Sequence, residues 1–248
     1  MSQSLTIIIP CYNCSYHIED TCETLFDFLD AHVTMRVVFA DDCSSDDTVE
    51  KLKRLVSASR HDKQIDIVQS PENRGKGGAI SLALDAVRTD FVCYTDVDLA
   101  YDLSNIERMR EEALRGGIAV ACRVHPESQY LIRPHAFKYI ATRHVMSRFF
   151  NLMMRFLLIP GVYDVQAGLK ASSTEDMRRC VARITKLRFS FDTELLVIAH
   201  AQNLAIHQVP VRFKFHTTAS SVNFTRDGLR MLRDLVDIKF KAARGLYR

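Results

Sequence analysis

Short β-branched runs alternate with helix-patterned stretches four times in the first hundred residues, and this alternation constrains the fold more than any other feature. Leu5-Thr-Ile-Ile-Ile-Pro10, a run stopped by proline, predicts a buried parallel strand. Tyr16 to Ala31 places Ile18, Cys22, Leu25, Phe26 and Leu29 at helical spacing. A strand over Arg36–Ala40, a helix over Val49–Ser59 and a strand over Ile65–Gln69 follow. Asn73-Arg-Gly-Lys-Gly-Gly78 then opens a helix through Val87, and Phe91 to Tyr94 is the fourth strand. Such a series predicts a parallel sheet with right-handed crossovers, a Rossmann-like α/β layering flanked by helices.

After Asp102 the pattern loosens. A helix over Asn105–Arg115 stops at Gly116-Gly117, and a strand covers Ile118–Cys122. His135 to Ile159 reads as a long helical region, Asp192–Ala201 as a helix and Ile206–Phe215 as a late strand. Asp227–Arg244 is amphipathic, with Leu229, Leu232, Leu235, Val236 and Phe240 on one face. Its other faces carry Arg226, Arg230, Arg233, Lys239, Lys241 and Arg244.

The chain has 248 residues and no linker-like tract, so a single domain is expected over 1–248. A net charge of +3 is too small to argue for nucleic acid as a partner. Seven scattered cysteines fit a reducing compartment rather than a disulfide framework. Cys11-x-x-Cys14 has only His17 and Cys22 nearby for a structural zinc and is read as incidental. Leu5–Pro10 is too short for a signal peptide, and Arg148, Asn151 and Arg155 interrupt the apolar stretch Val145–Val162. A cytoplasmic location is therefore expected, with peripheral contact at a membrane surface left open.

A parallel sheet gathers the carboxyl ends of its strands on one edge, where ligands bind. Four segments should meet there: Pro10–Asn13, Asp41–Asp47, Arg74–Gly78 and Asp96–Asp98. Together they suit a nucleotide. Asp41 or Asp42 can accept from a base imide or a ribose hydroxyl, and Arg74 and Lys76 can hold phosphate. Continued extension past Tyr94 would turn Asp96 and Asp98 to one face, a hard-oxygen pair for Mg²⁺ or Mn²⁺ on a diphosphate. Each segment also has a plainer reading, the acidic cluster as a helix cap and the glycine-rich run as a turn. Neither a Walker loop nor a dinucleotide fingerprint is present.

In this order the segments resemble the GT-A glycosyltransferases of the large inverting family that uses nucleotide-diphosphate sugars. The resemblance rests on Ile8-Ile9-Pro10-Cys11-Tyr12-Asn13, Ala40-Asp41-Asp42-Cys43-Ser44-Ser45-Asp46, Asn73 to Gly78 with Gly77 inside it, and Asp96-Val97-Asp98. Asp164-Val-Gln166-Ala-Gly168-Leu-Lys170, Phe191-Asp192-Thr193-Glu194 and Val209-Pro210-Val211 resemble the dolichyl- or polyprenyl-phosphate hexosyltransferases, the glucosyl branch above all. Arg123 follows a strand as in their Gly-Ser-Arg element. The likeness spans roughly residues 5–240. Three departures stand out: Cys14 replaces a usual acidic residue, Cys43 replaces a turn glycine, and a lysine near Ser220-Ser221 is missing.

The resemblance implies a nucleotide-sugar half over 1–102 and an acceptor half over 103–248. The donor would be a UDP- or GDP-hexose held by Pro10, Tyr12, Asn13, Asp41, Asp42, Arg74, Lys76, Gly77 and Asp96. Inverting displacement would follow, with a metal at Asp98, seconded by Asp96. A polyprenyl-phosphate acceptor is already anionic and needs cations, for which Arg123, Arg133, Arg143 and Lys170 are the candidates. A soluble or glycan hydroxyl acceptor would instead need a base, Asp164 ahead of Asp192 or Glu194. A non-catalytic nucleotide-sugar-binding module is the reading from another class.

Overall fold

A computed structural model describes residues 4–131, 158–214 and 224–248. Strands and helices alternate as β1 (Leu5–Cys11), α1 (Ser15–Ala31), β2 (Met35–Asp41), α2 (Thr48–Ala58), β3 (Ile65–Gln69), α3 (Lys76–Ala86) and β4 (Phe91–Tyr94). Then come α4 (Asn105–Ala113), β5 (Ile118–Ala121), β6 (Gln129–Leu131), β7 (Lys170–Ser173), α5 (Thr174–Val181), α6 (Phe191–Ala201), β8 (Ile206–Val209), β9 (Arg212–Lys214) and α7 (Phe224–Ala243). The expected helix over His135–Ile159, with Arg133 and Arg143, lies outside the described residues apart from Leu158 and Ile159.

Among the described residues one sheet of seven strands runs β3-β2-β1-β4-β7-β5-β8, and β6 pairs with β9 in a second, small sheet. β1 to β4 are mutually parallel, as the alternation predicts. β7 is the exception, antiparallel to both β4 and β5. The result is a mixed, mostly parallel sheet. β1, β4 and β5 are apolar runs because helices cover both faces: Ile7, Ile8, Val92, Cys93 and Val120 are fully buried. Helix α1 turns Ile18, Cys22, Leu25 and Leu29 inward at three- and four-residue spacing. It shares its face of the sheet with α4, to which His32 reaches across, Nε2 3.7 Å from Glu107 Oε1. Helices α3, α5 and α6 pack together on the opposite face, and α7 lies against α6.

The single late strand expected over Ile206–Phe215 is two. Pro210 has no N–H for a ladder, and the chain leaves the large sheet there, so β8 and β9 serve different sheets. Lys170-Ala-Ser-Ser was not legible as a strand, being neither apolar nor β-branched. Its place between β4 and β5 supplies the burial that its own composition does not. Chain order reverses between β1 and β4, the position at which an open α/β sheet leaves a crevice.

Candidate active site

The strand-end segments do converge. Asn13, with φ 45°, donates its N–H to Ser44 Oγ at 2.9 Å and accepts from Ser45 N–H at 2.8 Å. That exchange ties the end of β1 to the acidic loop after β2 and leaves Tyr12 half exposed beside it. Pro10, on β1, is paired in register with Ala40.

The two adjacent aspartates divide their roles. Asp42 spends both oxygens on the chain, accepting from Arg74 N–H at 2.8 Å and Gly75 N–H at 2.6 Å. It seats the glycine-rich turn. Asp41 is also buried; its Oδ2 accepts from Ser44 N–H at 3.1 Å, while its Oδ1 has no hydrogen-bond partner. A buried acceptor without a donor is costly. It is the atom here that an imide N–H or ribose hydroxyl would satisfy.

Gly75 begins α3 with φ 87°, a conformation open to glycine. Gly77 is required for contact: a Cβ there would lie 2.4 Å from Phe191 Cδ2, and its N–H donates to Leu187 O at 2.7 Å. Its role in the structure is packing against the 187–191 segment. Arg74 keeps a half-exposed side chain at this turn, 4.0 Å from Glu72. Lys76 points across the edge, its Nζ 2.8 Å from Asp96 Oδ1 and 3.3 Å from Asp192 Oδ2. Burial weakens this ammonium, but Asp192 and Asp96 outweigh it and raise its pKa.

β4 stops at Tyr94, so strand alternation does not set the directions of Asp96 and Asp98. Asp96 to Leu99 is a turn, with Leu99 N–H donating to Asp96 O at 3.1 Å and Leu99 at φ 44°. Asp96 is partly exposed and faces Lys76 and Gly168; a Cβ on Gly168 would fall 1.9 Å from Asp96 Oδ2. Asp98 accepts from Ala100 N–H at 3.1 Å. It lines a cavity of about 750 Å³ between α1 and α4 with Tyr16, His17, Asp20, Phe28 and Lys214. Among the described residues no three His, Cys, Asp or Glu side chains form a metal cage. Asp96, on Lys76, and Asp98, on the α1–α4 cavity, are the two hard carboxylates of this turn; an Mg²⁺ or Mn²⁺ ion here would need its remaining ligands from a diphosphate and water.

The second half of the chain completes the edge from beneath. Asp164 is fully buried in the fork of Arg123, with Nε at 2.7 Å and Nη2 at 2.8 Å, and also takes Arg123 N–H at 3.0 Å. Burial alone would raise the carboxyl; Arg123 more than offsets it and holds the pKa below the usual range. The expected base, Asp164, and the expected acceptor-phosphate cation, Arg123, are thus paired with each other. Lys170, expected at an acceptor phosphate, is fully buried, its Nζ 2.7 Å from Asp192 Oδ1 and 2.6 Å from Ala167 O. Burial lowers its pKa.

Asp192 is the hub that the sequence left as a helix cap or base. It takes Tyr94 Oη at 2.7 Å besides Lys170 and Lys76. Burial pushes its carboxyl up, but the two lysines prevail and lower it. Glu194 is structural, accepting from the backbone N–H groups of Thr185 and Lys186 and from Tyr247 Oη. Tyr94 and Gly168 were missed as site residues; the spacing from Asp164 to Lys170 was the only signal for the latter.

The family described as glycosyl transferase family 2 matches residues 6–178. The chain is 24% identical over 255 residues to a dolichyl-phosphate beta-glucosyltransferase of Dictyostelium discoideum, covering 98% of this chain and 76% of that one. It is 25% identical over 260 residues to the Homo sapiens protein of the same name, covering 100% and 78%. Among solved structures, it resembles Mycobacterium tuberculosis glucosyl-3-phosphoglycerate synthase in complex with Mn²⁺, UDP-glucose and phosphoglyceric acid. The TM-score is 0.64 at 16% identity, covering 97% of this chain and 80% of that one. A Pyrobaculum calidifontis mannosyltransferase in complex with GDP-mannose and Mn²⁺ follows, with a TM-score of 0.61 at 19% identity, covering 98% and 65%.

Proposed function

The chain belongs to glycosyl transferase family 2 and is a glycosyltransferase of GT-A fold, and from this premise we propose that it moves a hexose from UDP- or GDP-hexose to a polyprenyl phosphate, with inversion. Residues 1–102 bind the donor and 103–248 serve the acceptor within one domain. One observation carries the acceptor class: each of the three carboxylates expected as a base, Asp164, Asp192 and Glu194, is already engaged. Asp164 lies in the fork of Arg123, Asp192 is held by Lys170, Tyr94 and Lys76, and Glu194 caps the 185–186 backbone. A hydroxyl acceptor requires a base. A phosphate monoester is anionic near neutral pH and attacks without one.

Mg²⁺ or Mn²⁺ bound through Asp98 and Asp96 would supply Lewis-acid neutralisation of the leaving diphosphate. The chain's own residues do the rest. Asp41 Oδ1 takes a donor from the base or ribose, and Asn13 holds the loop that carries Asp41. Asp42 fixes the glycine-rich turn so that Arg74 and Lys76 reach the phosphates. Asp192, held by Lys170 and Tyr94, keeps Lys76 aimed at the sheet edge.

No helix among the described residues is long and apolar enough to cross a membrane. In this reading the lipid acceptor is met at the membrane surface. The reading is tested by incubating the protein with UDP- and GDP-hexoses, Mg²⁺ or Mn²⁺ and polyprenyl phosphate, and measuring sugar in the lipid extract. Metal-dependent lipid-linked hexose is the expected result. Transfer only to a soluble hydroxyl, collapsing in Asp164→Asn, would replace it with the alternative acceptor class. Donor binding without transfer to any acceptor would replace it with a non-catalytic module.

A further inference from the structure

Helix α7 has two apolar sides. One is turned into the protein: Leu235 and Ile238 are buried, with Met231 and Ala242 packed partly against the core. The other faces out. Leu232, Val236 and Phe240, each one turn from the next, are 44%, 70% and 55% exposed. By helical geometry Ala243 continues the same strip, Lys239 borders it on one side, and Arg233 and Arg244 border it on the other. All four are exposed. The Arg244 guanidinium lies 4.0 Å from the Phe240 ring centroid, so its charge sits directly at the apolar edge.

The acidic residues of this part of the helix are elsewhere. Asp234 and Asp237 turn toward Lys186, at 3.3 Å and 2.8 Å, and Asp234 also takes Ser190 Oγ at 2.8 Å. An apolar strip edged by cations and free of carboxylates matches an anionic bilayer on both counts, acyl boundary and headgroup charge. It matches a second copy of the chain poorly. Two strips face to face would bring Arg233, Lys239 and Arg244 of each copy together, with no carboxylate in the strip to answer them.

We propose that the Leu232–Val236–Phe240 strip of α7 is a docking surface for an anionic lipid bilayer, on which the helix lies flat in the interface. The inference deepens the lipid-phosphate reading above and rests on it for the acceptor. The same helix grips the 186–190 loop, whose Leu187 O receives Gly77 N–H, so the docked strip is joined through one loop to the donor edge.

The test is co-sedimentation of the full chain with vesicles of phosphatidylcholine alone and of phosphatidylcholine mixed with phosphatidylglycerol. Wild type should pellet with the mixed vesicles and far less with the neutral ones, and added salt should release it. The triple change Arg233→Gln, Lys239→Gln, Arg244→Gln should weaken binding on the order of a hundredfold. The double change Val236→Ser, Phe240→Ser should weaken it about tenfold or more. Both sets are exposed, and an unchanged melting temperature confirms that the fold survives. Equal pelleting by wild type and variants, no binding to anionic vesicles, or a strip-dependent dimer without vesicle binding would overturn the proposal. Transfer to detergent-dispersed short-chain polyprenyl phosphate separates the two readings. If that transfer fails in wild type while variant-sensitive vesicle binding persists, the acceptor assignment falls and the docking surface stands.

Discussion

Lys76 and Asp96 are ion-paired across the sheet edge, Nζ to Oδ1 at 2.8 Å, and the same ammonium holds Asp192 at 3.3 Å. A cation from the glycine-rich turn thus already sits on the carboxylate proposed for the metal. Lys76→Met should leave Asp192 with Lys170 and Tyr94 and so keep the fold. Transfer should fall roughly a hundredfold in kcat/KM, the scale of one lost preorganised charge at a leaving group. Steady-state kinetics with varied nucleotide sugar measures it.

Asp98→Asn should abolish the thermal stabilisation that UDP or GDP gives in the presence of Mg²⁺ or Mn²⁺. Chelation should do the same to wild type, and the apparent stability of the protein without nucleotide should stay unchanged. Stabilisation of the variant equal to wild type would remove the metal role from this turn.

Gly168→Ala would place a methyl 1.9 Å from the present position of Asp96 Oδ2. The carboxylate is the mobile end of an exposed side chain and would swing away. The expected phenotype is therefore weakened metal-dependent nucleotide binding, with stability changed by less than about 1 kcal/mol. A calorimetric titration beside a urea melt distinguishes this from plain misfolding.

The Arg123–Asp164 pair makes a pH prediction. Asp164 is held below the usual carboxylate range, so its contribution to stability is present above about pH 4 and is lost as pH falls through the folded value. In Arg123→Gln the carboxylate stays buried without its partner, and burial then dominates and raises it. The variant should lose about 3–5 kcal/mol at neutral pH, and the deficit should shrink on acidification. Urea unfolding at several pH values reads the sign directly.

Cys43 has φ 65° at the exposed turn between β2 and α2. A side chain in that region is strained. Cys43→Gly should therefore raise stability by about 0.5–1 kcal/mol, the relief exceeding the flexibility gained by the unfolded chain. Chemical denaturation is sufficient to see it.

Much of the architecture is local information and was legible as such. The four strand–helix alternations, the four carboxyl-end segments and the glycine-rich opening of α3 depend on periodicity and on residues near one another in the chain. The convergence of those segments follows from parallel pairing, and the structure bears it out in the contacts of Asn13, Ser44, Asp42 and Arg74.

What tertiary structure decided was the allocation of charge. Nothing in the string Asp41-Asp42 says which carboxylate faces its own backbone; the glycine-rich turn, arriving from beyond β3, claims Asp42. Lys170 reads as a cation for an acceptor phosphate; β7, inserted between β4 and β5, buries it against Asp192. Asp164 reads as a base until Arg123, at the end of another strand, closes on it. Burial and a partner's charge each outweigh the intrinsic preference of an ionisable group, and both are set by residues distant in sequence. The sequence by itself determined which strand ends meet on one edge of the sheet and which residue types gather there. Only packing decided which of their charges are left over for chemistry.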